Sequence, residues 1–574
     1  MTIILHRAAH PGKVDLGSFN PLTNLESLAP VPMNINEFLN LPTSCDILVV
    51  GGGTGGVAAA LAACEMGCRV VMTEPTEWIG GQLTQQAVPP DENRWIEQGG
   101  ATRRYLQFRE SVRASYRQHA PLVGSAYRRQ DLNPGNGSVS RLCHEFRVGL
   151  SVLEAMVQPY VSSGLLYIAH GCEPVHAEVA GDKVQAVTFR HVSHATDRRV
   201  TASYVIDATE TGDLLPLTGT EYVTGFESRD MTGEPSAPDQ YQPMNMQAVS
   251  WCFAIDHIEG EDHVIDKPDD YDFWRNYVPD LKPAWGNPLL SWSAKDPATL
   301  KSMEREFLPN QQRLNGHGNL WTFRRIIDRS LYREGFFPSD IVLVNWPQID
   351  YLPGCVIDVT PEEKEKHLRG SRQLSLSMLY WMQTEAPRHD QSSGTGYPGL
   401  RLRSDVTGFG PDGLALHAYI RESRRIKAQF TVCEQHISLA LRGKHGAERF
   451  ADSVGIGHYN IDLHPSTGGD NYIDVPACPF QIPLKSLIPV RMRNLLAGAK
   501  NLGVTHITNG CYRLHPIEWN VGEAAGVLAA HCLAQKVEPH EVSGNRSKQE
   551  IYQRELERQG FVLEWPGNPF HLYY

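Results

Sequence analysis

Apolar residues first gather at Cys45-Asp46-Ile47-Leu48-Val49-Val50, a run of strand length, and again at Val57-Ala58-Ala59-Ala60-Leu61-Ala62-Ala63, a strong helix former. Gly51-Gly52-Gly53-Thr54-Gly55-Gly56 lies between them, and a second apolar run, Arg69-Val70-Val71-Met72-Thr73, ends at Glu74. The pattern predicts strand, tight turn, helix and strand. Val205-Ile206-Asp207-Ala208-Thr209 has the form of another strand, running to a turn at Gly212-Asp213. Near the C-terminus, Asn494-Leu495-Leu496-Ala497-Gly498-Ala499 reads as a short buried strand. The stretch from Pro516 to Ala530 reads as a helix with Pro in its first turn and a face of small residues. From about Tyr222 to Asp474 the texture changes: Trp, Tyr, Pro and His become frequent, and alternating strands mix with two helical stretches, near Arg372 to Glu385 and Leu416 to Leu441.

Gly51, Gly53 and Gly56 fill the three glycines of G-x-G-x-x-G. The first makes the turn, the second lets the backbone approach a pyrophosphate, and the third lets helix and strand pack closely. With Thr54 and Gly55 they place a helix N-terminus, with unpaired N–H groups and a positive dipole end, against the phosphates. Glu74 falls about twenty residues on, where a carboxylate accepts from a ribose 2′-hydroxyl, which argues against a 2′-phosphate. A second match, Gly394-Thr395-Gly396-Tyr397-Pro398-Gly399, follows the polar Arg388-His389-Asp390-Gln391 and carries Pro where a helix should begin, so it is set aside.

Glu74 is followed by Pro75-Thr76-Glu77-Trp78-Ile79-Gly80-Gly81-Gln82-Leu83, which resembles the second glycine motif of FAD enzymes of the glutathione-reductase structural type. In the C-terminal helix Gly522 and Gly526 are i,i+4 and share a face that a flat ligand could approach, and the helix N-terminus suits the charge that develops at flavin N1/O2. The chain as a whole, over about residues 43 to 535, resembles the FAD-dependent oxidoreductase family distantly related to the fumarate reductase and succinate dehydrogenase flavoproteins. The likeness rests on the glycine loop, Trp78 to Leu83, Asp207-Ala208-Thr209-Glu210-Thr211-Gly212-Asp213, Tyr419 to Arg425, Pro479-Phe480-Gln481-Ile482-Pro483 and Tyr512-Arg513-Leu514-His515-Pro516. It implies an α/β fold: a discontinuous Rossmann-like FAD-binding domain of glutathione-reductase type with an inserted α+β cap. It further implies FAD as cofactor, with Gly51, Gly53, Thr54, Gly55, Gly56, Glu74, Gly81, Gln82, Asp207, Thr209, Gly212, Asp213, Gly498, Asn520, Gly522 and Glu523 on the cofactor side.

Because these motifs fall at both ends of the chain and near residue 207, the expected division is an extended arm over 1–42, the FAD-binding domain over 43–221 and 475–540, a cap or substrate domain over 222–474, and a helical tail over 541–574. A length of 574 residues accommodates two or three domains. A net charge of −12 argues against nucleic acid as partner. No apolar run approaches membrane-spanning length, and Met1-Thr2-Ile3-Ile4-Leu5-His6-Arg7 is too short for a secretory signal, so a cytoplasmic location is expected; a homodimer is compatible with the sequence. The eleven cysteines lack C-x-x-C pairs and suit reduced thiols; Cys64 and Cys68 are i,i+4 on the first helix.

Three clusters carry candidate chemistry. His458-Tyr459-Asn460-Ile461-Asp462-Leu463-His464 alternates as one strand, its polar side either solvated or lining a substrate cavity; at about 3.3 Å per residue the histidines stand too far apart to share a metal. Arg421, Arg424 and Arg425, with Glu422 between, form a basic patch on the second cap helix, either surface pairs or an anion clamp. Arg513, His515 and His506 are the catalytic candidates, with Asn509 and Tyr512 as polar accessories: the arginine to hold a substrate anion, a histidine to take a proton. The bland alternative for Arg513 is a brace to Glu518 or another acid. The relatives' glycines after the arginine are replaced here by His515-Pro516, which speaks against carboxylate reduction. No metal is expected. The leading reading is an FAD-dependent oxidase or dehydrogenase acting on a small polar metabolite. A flavin monooxygenase fed by a partner, or a flavoprotein using FAD structurally, stands behind it.

Overall fold

A computed structural model describes residues 35–311, 318–390 and 394–566. Most of the expected N-terminal arm, and the end of the C-terminal tail, therefore lie outside the described residues. A short helix, α1 (Ile35–Leu39), leads into β1 (Ser44–Val50), α2 (Thr54–Glu65) and β2 (Val70–Glu74). They are followed in the same sheet by β3 (Leu166–His170), β4 (Cys172–Ala180), β5 (Lys183–His191) and β6 (His194–Asp207). The spatial order is β3-β2-β1-β6-β5-β4, and the Leu495–Ala497 strand pairs with β6. β3, β2, β1, β6 and that last strand run parallel, while β4 and β5 form an antiparallel meander on β6. Register does the positioning: Val50 lies opposite both Thr73 and Asp207, and Asp207 lies opposite Ala497. Gly51, Glu74, Ala208 and Gly498 consequently meet at the carboxyl ends of adjacent parallel strands, where α/β sheets bind ligands.

α2 is apolar on every side because it is covered on every side: each residue from Thr54 to Cys64 is buried, between the sheet and the His515–Gln535 helix. The two helices touch backbone to backbone. A Cβ on Gly522 would stand 1.9 Å from the Gly55 carbonyl oxygen, and one on Gly526 2.3 Å from that of Ala59. This corrects the expectation that the Gly522 and Gly526 face approaches a flat ligand: the small residues are there to admit α2. Cys68 is likewise not on α2, which stops at Glu65; burial pushes the Cys64 thiol up to about 12 and that of Cys68 to about 11.

The intervening region has its own antiparallel sheet, in the order Arg325–Ile327, Ile341–Val344, Phe253–His257, Leu400–Leu402. The helical stretch expected near Arg372 to Glu385 is the second half of a longer helix, Pro361–Thr384, whose start is fixed by a capping box between Thr360 and Glu363. The helix expected over Leu416 to Leu441 does not form. That segment runs extended, bridges Ser250 at Tyr419, contributes the two-residue strand Arg425–Ile426, and coils only at Glu434–Ile437 and Leu439–Arg442. Local propensity loses because its arginines are drawn to buried acids on several elements. The single strand expected over His458 to His464 is also broken: Ser453–Gly457 pairs with Phe480–Pro483, whereas Ile461–Leu463 pairs with Ile473–Val475. The last helices among the described residues are Pro539–Gly544 and Arg546–Arg558, and among the described residues no helix is long and apolar enough to cross a membrane.

Candidate functional site

The glycine loop is sterically committed. Gly51 has φ +100°, and a Cβ there would lie 2.3 Å from the Ala208 carbonyl oxygen; a Cβ on Gly56 would lie 1.9 Å from that of Gly51. The loop is tied to the second glycine pair by two hydrogen bonds of 2.8 Å, Gly80 N–H to the Gly52 carbonyl and Thr54 Oγ1 to the Gly80 carbonyl. Glu74 ends β2 fully buried and accepts from Gly52 N (3.1 Å) and from Thr76 N and Oγ1 (2.9 and 2.8 Å). Burial pushes its carboxyl up to about 7. A cavity of about 320 Å³ opens here, lined by Gly51, Gly53, Glu74, Thr209, Glu210 and Asp213 among others. Asp207 sits beneath it, taking Thr209 N and Oγ1 and Leu214 N on its carboxylate and so pinning the turn that carries Gly212 at φ +66°; burial pushes Asp207 up to about 7.

Past Gly81, Gln82 Nε2 donates to the Arg513 carbonyl (2.9 Å) and to Glu518, and Lys500 is ion-paired with Glu210 and faces Glu518 at 3.6 Å. Burial would lower the Lys500 ammonium, but Glu210 and Glu518 hold it above its usual range; burial pushes Glu518 up to about 7 against Lys500. Thr73 Oγ1, Gln82 Oε1 and Glu518 Oε1 are buried without a hydrogen-bond partner. Buried polar atoms rarely go unpaired. Three of them around crowded glycines, the N-terminus of α2 and a carboxylate at the end of β2 are a donor and acceptor set that fits FAD. Other residues expected on the cofactor side serve packing instead. Gly498 presents its carbonyl 2.0 Å from where a Gly55 Cβ would be; Asn520 donates to the Val454 carbonyl; Glu523 takes Thr102, Arg104 and Trp519.

A second cavity, of about 430 Å³, lies beyond this region, and the broken 458–464 segment lines it with Asn460, Asp462 and His464. The polar side of that segment therefore faces a cavity rather than bulk water. Arg324 reaches the same cavity. It is nine-tenths buried, its Nε and Nη1 have no hydrogen-bond partner, and its nearest acid, Asp91, is 4.0 Å away. Asp91 is itself raised, chiefly by burial. Asn345 Nδ2 and Trp346 Nε1, also lining, are buried and unpartnered.

Arg513 caps the His506–Tyr512 helix and is largely spent: Nη1 donates to Tyr419 Oη (2.7 Å), and Nη2 to the Asp462 carbonyl and carboxylate (3.1 and 3.2 Å). Its acid is Asp462 rather than Glu518. Since its carbonyl accepts from Gln82, it joins the cofactor loop to the wall of the second cavity. His515 Nδ1 accepts from Asp91 N at 3.0 Å, and burial holds its imidazole well below the ordinary range. His506 stacks on Phe226 at 4.3 Å and pairs with Glu422 at 3.0 Å; it lines neither cavity. Asn509 and Tyr512 bond to the Arg421 and Gln481 carbonyls. The expected basic patch is not one: Arg421 pairs with Asp350, Arg424 with Asp213 and Asp358, and Arg425 with Glu227 and Glu422, on an extended segment. His464 belongs to the segment the sequence offers as a cavity face, whereas Arg324, Lys500 and Asp350, the partner of His464, carry no such signal. Arg324 sits in an ordinary Arg-Arg pair, and nothing local marks Asp350.

A family model described as FAD dependent oxidoreductase matches residues 46–556. Human mitochondrial dihydrolipoyl dehydrogenase is 35% identical over 66 residues, covering 11% of this chain and 13% of that protein, so the chain spans only a small part of the curated relative. A point variant of E. coli quinol fumarate reductase FrdA aligns at 11% identity over 90% of this chain and 74% of its own, with TM-score 0.32. The myxobacterial chondrochloren halogenase CndH aligns at 13% identity over 39% and 46%, with TM-score 0.21.

Proposed function

The chain belongs to the FAD dependent oxidoreductase family, and on that premise we propose that it oxidises a small anionic metabolite held in the 430 Å³ cavity. FAD, when bound, supplies the two-electron acceptor. In this reading residues 43–221 and 475–540 are the halves of a glutathione-reductase-type FAD domain. Residues 222–474 are the cap that supplies most of the substrate cavity. The glycine loop and the α2 N-terminus hold the pyrophosphate, Glu74 the ribose, and Gln82, Lys500 and the start of the His515–Gln535 helix the flavin's polar edge.

The observation that carries the proposal is Arg324. A buried guanidinium with two unpartnered nitrogens is costly unless an anion completes it, and the planar fork matches a carboxylate. Of the acids around it, Asp462 is paired with Arg513 and Glu92 with Arg109; that leaves Asp91, 4.0 Å away, and Asp474, which accepts only from neutral Asn460, outnumbered by Arg324, Lys295 and Arg305. The cavity's uncompensated charge is therefore positive, and its volume suits a small molecule. A panel of candidate anions, mixed anaerobically with the holoprotein, should include members that bleach the flavin, and Arg324→Ala should lose their binding by calorimetry while keeping its FAD. A panel that bleaches nothing, with anion binding undiminished in Arg324→Ala, would remove this reading. Bleaching by an external reductant alone, followed by oxygen insertion, would move the protein to the monooxygenase class.

A further inference from the structure

His464 and Asp350 form a buried pair that no part of the cofactor site uses. The imidazole Nδ1 lies 2.6 Å from Asp350 Oδ2 and 3.0 Å from Tyr472 Oη. Asp350 is held in place by two further donors, Ser250 Oγ at 2.6 Å and Arg421 Nη2 at 3.1 Å, both on its Oδ1. Burial would raise this carboxyl, but Arg421 and His464 outweigh it and keep it below the usual carboxylate range, so it is ionised. An ionised acceptor on Nδ1 fixes the tautomer with the proton there and leaves Nε2 as the lone-pair nitrogen. The ring lines the 430 Å³ cavity that Arg324 also lines, and among the described residues no side chain occupies Nε2.

Resting on the anion reading of this cavity, we propose that His464 is the general base of the reaction, positioned by Asp350, and that the substrate class is a hydroxy acid. Its carboxylate pairs with Arg324, and its hydroxyl gives up a proton to His464 Nε2. With FAD bound as the two-electron acceptor, the adjoining C–H bond would break as the O–H bond breaks, its electron pair would leave with the hydrogen as hydride to that acceptor, and the carbon–oxygen bond would become a carbonyl. The product is an oxo acid, and the proton is returned to solvent from the imidazolium.

The other titratable groups of the cavity are poorly suited to this task. Tyr459 and Tyr472 are driven well above the usual phenol range by burial, and burial pushes His458 down to about 3, too weak a base. Asp462 is ion-paired with Arg513, and Asp474 accepts from Asn460. A hydroxyl substrate is preferred to an ammonium because Asp462 and Glu92 are ion-paired with Arg513 and Arg109, whereas Lys295 and Arg305 add positive charge to the lining.

Burial, and then Arg421, hold the His464 imidazole below its ordinary range, opposed by Asp350 and Asp462; Tyr472 faces the same ring. The base works only when neutral, so flavin reduction should be flat above pH 7 and fall as pH drops through that lowered value. The test is anaerobic stopped-flow reduction of the holoprotein by a panel of short 2-hydroxy and 3-hydroxy acids, the matching amino acids, and unsubstituted carboxylic acids. Binding of each is followed separately by calorimetry. His464→Asn should retain FAD and bind the hydroxy acid within about threefold of the parent, yet reduce on the order of 10²- to 10⁴-fold more slowly, the span of general-base catalysis. Asp350→Asn should slow reduction and move the acid-side midpoint to lower pH, a shift that a purely structural role would not give. Should His464→Asn fold poorly, the parent's pH profile and its substrate preference still decide. Reduction by amino acids alone, or a folded His464→Asn at near-parental rate, overturns the base and substrate class but leaves the anion site standing. Loss of anion binding dependence on Arg324 overturns both.

Discussion

Replacing Gly522 with alanine tests whether the C-terminal helix supports the cofactor through helix contact or by touching it. The added Cβ would stand 1.9 Å from the Gly55 carbonyl oxygen and 2.5 Å from its Cα, both backbone atoms that cannot rotate away. Restoring an ordinary contact of 3.4 Å requires a separation of 1.5 Å between the helices. Overpacking of this kind costs about 1–3 kcal/mol, which lowers Tm by roughly a few degrees. The larger consequence is positional. Gly55 is in the first turn of α2, whose N–H groups hold the pyrophosphate in the proposed reading, so the displacement would misplace them. Loss of one charge-assisted hydrogen bond, worth about 1.5–3 kcal/mol, would raise the Kd for FAD roughly 10- to 100-fold. The assay is quenching of flavin fluorescence on titration into apoprotein, with a thermal melt of the same sample. Gly544→Ala is the control, since nothing lies within 4 Å of a Cβ there. A Gly522→Ala protein with parental Tm and FAD affinity within twofold would refute the reasoning; parental Tm with lost affinity would return Gly522 to the cofactor face.

Two further outcomes follow from the buried charges. Glu74→Gln keeps the shape but weakens the acceptor at the ribose site, so the Kd for FAD should rise about tenfold; an unchanged titration would separate Glu74 from the cofactor. Arg425→Met leaves Glu227 and Glu422 buried with one partner fewer and should destabilise by about 3–5 kcal/mol in a denaturant melt, whereas near-parental stability would show the network to be dispensable.

The sequence alone determined the nucleotide half of this protein, because the constraints there are local. A turn at Gly51 that must carry positive φ, a helix that must begin at Thr54 and an acid that must end β2 are written in consecutive residues and can be read without knowing what packs on them. The same locality misled elsewhere. Gly522 and Gly526 share a helix face whatever covers it, and only the tertiary structure shows the cover to be α2. The segment from Leu416 to Leu441 has helical propensity worth tenths of a kcal/mol per residue, which is small against the buried pairing of Arg421 with Asp350 and Arg425 with Glu227. The second cavity was least legible: Arg324 and His464, which line it, and their partners Asp91 and Asp350 are scattered along the chain and come together only through the fold. An unpartnered guanidinium or an oriented imidazole is a property of what surrounds the side chain after folding, and no spacing in the sequence records it.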